Sequence, residues 1–361
     1  MAETLNVTTA APGTGRNLRR WLEGFWDGLQ AGLAPMLAKE MRSRTRGLRS
    51  PVLLTVYLLI LTGVVTGLLW LIRDKARLVG PEIGLNLFSF FTLIMIMLLA
   101  FIAPAMAAGA ISGEKERRTY DLLLVTRASA AGIVLGKWLA SVVYLLWLVL
   151  AALPVFAVIY LYGGMPARQV GMTLVIILAT GMSYGALGLA LSAVLKRSQA
   201  ATIIAIILVF CLLFGTLVGG LLQLEYQRSQ AAAAGVPYAQ PGIPWYVFQS
   251  PLPALTSVLP GSDGRAAAGF QIPLLGSILR EFWRQFDQPA AAGMTVSMAS
   301  GYTYGYAGAG PGLFPEPPGG LAALPFWARF LINQALSLIL CLLVATLAVM
   351  PVKPWRMAWR R

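Results

Sequence analysis

Residues Ile83–Ile111 read IGLNLFSFFTLIMIMLLAFIAPAMAAGAI, without one Asp, Glu, Lys or Arg, and Gly113–Lys137 just after them read GEKERRTYDLLLVTRASAAGIVLGK. The first stretch is long enough to cross roughly 30 Å of hydrocarbon at ~1.5 Å per helical residue. The second packs Glu114, Lys115, Glu116, Arg117, Arg118 and Asp121 into one helical length, then turns apolar at Leu122, Leu123 and Leu124. Another apolar run, Ile133–Tyr162, follows. Charges this dense are too costly in lipid. The segment therefore lies at a membrane surface or docks on another protein.

The rest of the chain repeats this alternation. Its 361 residues are 58% hydrophobic and 12% charged, against about 25% charged in soluble domains. Apolar runs near Val52–Ile72, Ile83–Ile111, Ile133–Tyr162, Val170–Leu195, Ala200–Leu222 and Phe330–Met350 are each long enough to span. The sequence predicts an all-α integral membrane protein with six transmembrane helices. An N-terminal interfacial helix precedes them, and a long extracytoplasmic loop separates helices 5 and 6. With both termini in the cytoplasm, 19 of the 28 Lys and Arg fall on the cytoplasmic side. Arg73, Lys75 and Arg77 are the misfit, but inversion would expose the larger N-terminal cluster.

The expected organisation is a disordered tail over 1–16 and an amphipathic helix with a basic approach over 17–50. Helices 1–5 follow over 51–222, with a cytoplasmic loop at 112–132. A partly disordered outer loop covers 223–325, and the last helix with a basic tail covers 326–361. No cleaved signal peptide is expected, because the first 50 residues are polar and basic. From Asn17 onward Leu18, Trp21, Leu22, Phe25 and Leu29 recur at helical spacing opposite Arg19, Arg20, Glu23 and Asp27. That pattern suits a helix in the headgroup layer or one packed on a partner protein. The basic stretch KEMRSRTR, with Arg42, Arg44 and Arg46, then anchors the chain at anionic headgroups.

In the outer loop, PGIPWYVFQSPLPALTSVLPG and SILREFWRQF are expected to lie on the outer surface or cap the bundle. From Gln288 to Gly320 the Gly/Ala/Ser/Pro-rich composition predicts little fixed structure. Pro104 and Pro154 predict kinks. Gly63/Gly67, Gly181/Gly185 and Gly215/Gly219 permit close helix approach, within one subunit by default or at a dimer seam. Asn333 and Gln334 fit either a substrate contact or polar helix packing.

Several function classes recede. The chain has no histidine, and its two cysteines, Cys211 and Cys341, lie in predicted spans without metal-ligand company. The span interiors hold no Asp, Glu, Lys or Arg, and Lys137, close to the start of the third span, can reach the cytoplasmic surface. That argues against proton- or ion-coupled transport. No GxxxxGK[ST] loop is present, so ATP hydrolysis by that route falls to another subunit. With no buried carboxylate pair or convincing nucleophile, a membrane-embedded enzyme is disfavoured.

Within 113–137, Ser112 is placed to cap a short helix whose first turn holds Glu114 and Glu116. Glu114 with Arg118 and Arg117 with Asp121 are i,i+4 pairs. Tyr120, Leu123 and Leu124 share a face able to enter a partner's groove. From the residues alone, a receiver for a partner and a plain surface loop are equally good readings.

The segment resembles the first cytoplasmic loop of the ABC-2-type transporter permeases, approximately E-x-E-x-G-T-x-x-x-L-L-x-T-P-x-S followed by Gly-Lys. This chain supplies Glu114, Glu116, Thr119, Leu123, Leu124, Thr126, Ser129, Gly136 and Lys137. Lys39, Glu40, Arg42 and Arg46 resemble that family's K-E-L/M-R-x-x-x-R approach to the first span. Arg118 stands where glycine is frequent, and Arg127 where proline is frequent.

The resemblance implies the permease subunit of an ATP-driven transporter in a plasma membrane, prokaryotic in origin, with export the expected direction. The subunit would pair with a like or unlike permease, and with a cytoplasmic ATPase that holds the ATP and Mg. This chain would bind no cofactor, no metal and no nucleic acid, and would not itself be an enzyme. Glu114, Glu116, Arg117, Thr119, Tyr120, Leu123 and Leu124 would form the ATPase-coupling helix. Trp21, Phe25, Lys39, Glu40 and Arg42 would belong to the interfacial helix. The alternative is an ATP-coupled membrane complex doing mechanical or signalling work without moving a solute.

Overall fold

A backbone amide in lipid has no water to bond, so an uncharged apolar run closes its hydrogen bonds on itself as a helix. The computed structural model describes residues 42, 49–72, 81–119, 130–163, 165–233, 244–258 and 324–350, and these are helical apart from short turns. They form α1 (Arg49–Ile72), α2 (Pro81–Ala108), α3 (Ser112–Glu116), α4 (Ala130–Leu161), α5 (Ala167–Val194), α6 (Ser198–Phe210), α7 (Thr216–Ala233), α8 (Pro251–Val258) and α9 (Phe326–Val349). A π-turn, Cys211–Gly215, joins α6 to α7, and a 3-10 turn, Trp245–Gln249, precedes α8. Among the described residues six helices are long and apolar enough to cross a membrane, the fifth being α6 and α7 together. Trp21, Phe25, Lys39 and Glu40 lie outside the described residues, as do SILREFWRQF and the stretch Gln288–Gly320. Arg42 is helical and exposed.

The central helix is α5, which packs most extensively on α2 and α9. Small residues make this possible. A Cβ placed on Gly188 would come 2.5 Å from the Pro104 carbonyl oxygen and 2.8 Å from its Cα, so only glycine lets α5 and α2 meet there. Pro104 and Pro154 both lie inside continuous helices. Around this axis Tyr57, Leu61, Phe91, Met95, Leu99, Leu148 and Phe330 are fully buried. Phe91 meets Phe156 edge to face at 4.6 Å between centroids. Gly181 abuts the Leu145 side chain, but Gly63 and Gly67 have no neighbour within 4 Å among the described residues. Among the described residues, then, nothing packs against the first glycine pair.

One expectation about the region after the fifth span needs correction. The helix does not stop at Leu222 but runs to Ala233. Gln223, Glu225 and Gln227 end the hydropathy run without ending helicity. Of the two readings of PWYVFQSPLPALTSV, outer surface or cap on the bundle, the second is the one that fits, with the segment set deep between helices. Val247, Ser250, Leu252, Ala254 and Leu255 are buried, and Gln249 is tied into the bundle. Tyr184 Oη donates to the Gln249 carbonyl at 3.0 Å, and Gln334 Nε2 donates to the same oxygen at 3.2 Å. Asn333 Nδ2 donates to Gln249 Oε1 at 2.6 Å, and Gln249 Nε2 donates to Ser337 Oγ at 3.2 Å. Ser337 lies roughly 16 Å along α9 at ~1.5 Å per residue, so the segment re-enters to about mid-bundle. Of the two readings of Asn333 and Gln334, polar packing is the one the geometry satisfies.

Candidate functional site

At one end of the bundle the chain leaves α2, makes a single turn of helix and meets the ends of α4, α5 and α6. Gly109 to Ile111 form the corner. Ser112 does not cap α3. It is fully buried, and its hydroxyl donates back to the Ala108 carbonyl at 2.9 Å. Ser192 Oγ near the end of α5 accepts the Ile111 and Ser112 N–H groups at 2.9 Å each and donates to Ser112 Oγ at 3.1 Å. A buried hydroxyl pair thus caps the corner in place of Ser112 alone, because the orphan N–H groups at a helix start need a partner wherever one is near.

The three charged residues of α3 all reach the chain's own helices. Glu114 Oε1 accepts from Lys137 Nζ at 2.9 Å, with the two side chains 19% and 1% exposed. Lys137 therefore does not extend to the surface. Seven residues into α4 it is enclosed by protein, and a carboxylate is brought in to meet it. Lys115 Nζ donates to the Ala193 carbonyl at the end of α5. Glu116 accepts the Ser198 backbone N–H at 2.9 Å and the Ser198 hydroxyl at 2.7 Å. A carboxylate supplied from another segment thus satisfies the first turn of α6, where the helix dipole favours negative charge. Neither Ser192 nor Ser198 was legible as a partner. Nothing local in sequence marks a serine as the acceptor or donor for a segment about eighty residues earlier.

The expected i,i+4 pairing of Glu114 with Arg118 gives way to this geometry. The helix ends at Glu116, and Arg118 has a φ of +56°. Arg118 N–H donates to the Lys115 carbonyl at 3.2 Å and Thr119 N–H to the Glu114 carbonyl at 3.0 Å. Those two bonds are the Schellman ending of a helix, whose left-handed position ordinarily belongs to glycine. Arginine here occupies the position where the resembled pattern has glycine. Arg117, Arg118 and Thr119 are exposed, as are Lys196 and Arg197 beside them. Tyr120, Asp121, Leu123 and Leu124 lie outside the described residues.

α3 is joined to α2 through the chain, to α4 through Lys137, to α5 through Ser192 and Ala193, and to α6 through Ser198. Among the described residues no three of Cys, Asp and Glu come together as a metal would require. No curated protein matches this sequence. A family model described as "ABC-2 family transporter protein" matches residues 34–349.

Proposed function

The chain belongs to the ABC-2 transporter family, and on that premise we propose that it is the membrane subunit of an ATP-driven exporter whose energy arrives through α3 and the residues just after it. The observation that carries this reading is the bracing of α3. Glu114, Lys115 and Glu116 bind α4, α5 and α6, and Arg117 to Thr119 face outward. A lever needs a stiff inner end and an exposed outer one.

In this reading the α3 end of the bundle is cytoplasmic and both termini lie on that side. Six spans and the basic residues at this end support the orientation. A separate ATPase would seat on the exposed turn at Arg117–Thr119 and on Tyr120, Leu123 and Leu124. It would hold the ATP and Mg, and a second permease would complete the complex. Glu114 and Glu116 then act as positioning residues that set the angle of the turn, and do not touch the ATPase. The interfacial helix with Trp21, Phe25, Lys39, Glu40 and Arg42 would lie alongside. Closure of the ATPases would tilt α3 and move four spans together.

The test is reconstitution of the chain with the ATPase that copurifies with it. Leu123→Asp and Arg117→Glu should leave the permease inserted, and should reduce both ATPase capture and ATP-dependent export of a reporter lipid or drug about tenfold or more. Full capture and full export by both variants would remove the coupling role from this segment.

A further inference from the structure

The fifth span changes register at its middle. Thr216 N–H, which would serve the Leu212 carbonyl in an α-helix, reaches back to Cys211. Hydroxyls fill in behind it. Thr216 Oγ1 donates to the Leu212 carbonyl at 2.6 Å, and Ser250 Oγ donates to the Leu213 carbonyl at 2.9 Å. Ser250 has no exposed surface and comes from the re-entrant segment, 37 residues away along the chain. A π-turn costs helical regularity, so it needs such compensation to persist.

Beyond the π-turn, α7 offers the segment its two smallest residues. A Cβ on Gly220 would come 2.9 Å from Val247 Cγ2, and one on Gly219 would come 3.8 Å from Tyr246 Cε2. Tyr246 Oη also donates to Gln223 Oε1, one turn on. Reverting the π-turn to α would remove one residue of register. It would turn α7 by about 100° and shift it by ~1.5 Å. Gly219 would then take the place of Gly220 against Val247, and Val218 the place of Gly219, bringing a branched side chain against the Tyr246 ring.

We propose that Ser250 and the seated 3-10 turn select the π register of the fifth span, so that seating of residues 245–258 and the azimuth of α7 are one two-state movement. With the segment seated, Gly219 and Gly220 face it and the π-turn is held. With the segment withdrawn, Leu213 loses its hydroxyl partner, the span relaxes to α, and the far half of the helix rotates. Gln249 ties the same segment to Tyr184, Asn333, Gln334 and Ser337, so the movement also loosens α5 and α9.

The experiment uses the full chain in lipid nanodiscs and compares wild type, Ser250→Ala and Ser250→Thr by hydrogen exchange with mass spectrometry. Loss of one buried hydrogen bond, about 1 kcal/mol net, sets the scale near fivefold to tenfold. Ser250→Ala should raise exchange by that factor both in 211–223 and in 244–258, with α1 unchanged, and Ser250→Thr should restore both. A disulfide between Gly220→Cys and Val247→Cys, with Cys211 and Cys341 replaced by Ala, should form more slowly by a similar factor in Ser250→Ala. Faster exchange confined to 244–258, or no change in either segment, overturns the coupling. If Ser250→Ala does not accumulate, Thr216→Val is read in its place: a paired rise supports the coupling and an unpaired or absent rise overturns it.

Discussion

The Glu114–Lys137 pair makes an asymmetric prediction about stability. The two groups are 2.9 Å apart, but they are not equally enclosed: Lys137 is 1% exposed and Glu114 is 19% exposed. Glu114→Gln leaves an ammonium inside the protein without its carboxylate. Breaking a buried pair in this way costs roughly 3–5 kcal/mol. Lys137→Met leaves a carboxylate on the less enclosed of the two side chains, although its Oε2 is itself buried, and the methionine replaces much of the lost packing. The expected cost is about 1–2 kcal/mol, in line with losing one charge-assisted hydrogen bond. The double variant removes both charges and should be no worse than Lys137→Met, giving a coupling energy of about 3–5 kcal/mol in magnitude. Thermal unfolding in nanodiscs reads this as an order of melting temperatures. At roughly 2–4 °C per kcal/mol for a large domain, Glu114→Gln should fall lowest by 6 °C or more. Equal losses for the two single variants with strictly additive behaviour in the double would falsify the claim that these two groups depend on each other.

Two other perturbations follow from backbone geometry. Arg118→Gly removes a side chain from a left-handed position, where an L-residue costs roughly 1–2 kcal/mol, so melting should rise by a few degrees; a fall would mean that the arginine side chain holds this turn. Gly188→Ala places a methyl group against the backbone of Pro104, which a flexible side chain cannot relieve, and should cost about 1–3 kcal/mol. An unchanged melting temperature would show that α2 and α5 separate without penalty.

The parts of this fold legible in the sequence are those set by one-dimensional rules. Uncharged runs such as Ile83–Ile111 become helices because lipid offers the backbone no alternative, and the charge-dense stretch after it cannot join them. The same rules fail wherever the partner is distant. A lysine near a span end ordinarily reaches outward, and the return of the chain at Glu114 helps to make the enclosure of Lys137 tolerable. The re-entrant segment escapes a hydropathy reading for a related reason. PWYVFQSPLPALTSV is too short and too rich in proline to span, so it reads as a loop. Its depth comes from Gln249, whose amide and carbonyl find four polar partners on α5 and α9. A buried glutamine without them would cost several kcal/mol, and the segment would stay outside.

The glycine pairs bring both cases together, because the spacing that sequence reads is the same in each and the use is different. Gly181 packs on a neighbouring helix, Gly219 faces a segment that enters from the loop, and Gly63 with Gly67 meets nothing within 4 Å among the described residues. A GxxxG spacing fixes only that backbone can approach closely on one face. What approaches is decided by polar anchors elsewhere, as by Ser250 and Gln249 for the fifth span. The small residues supply room, and the hydrogen bonds of those few side chains decide what fills it.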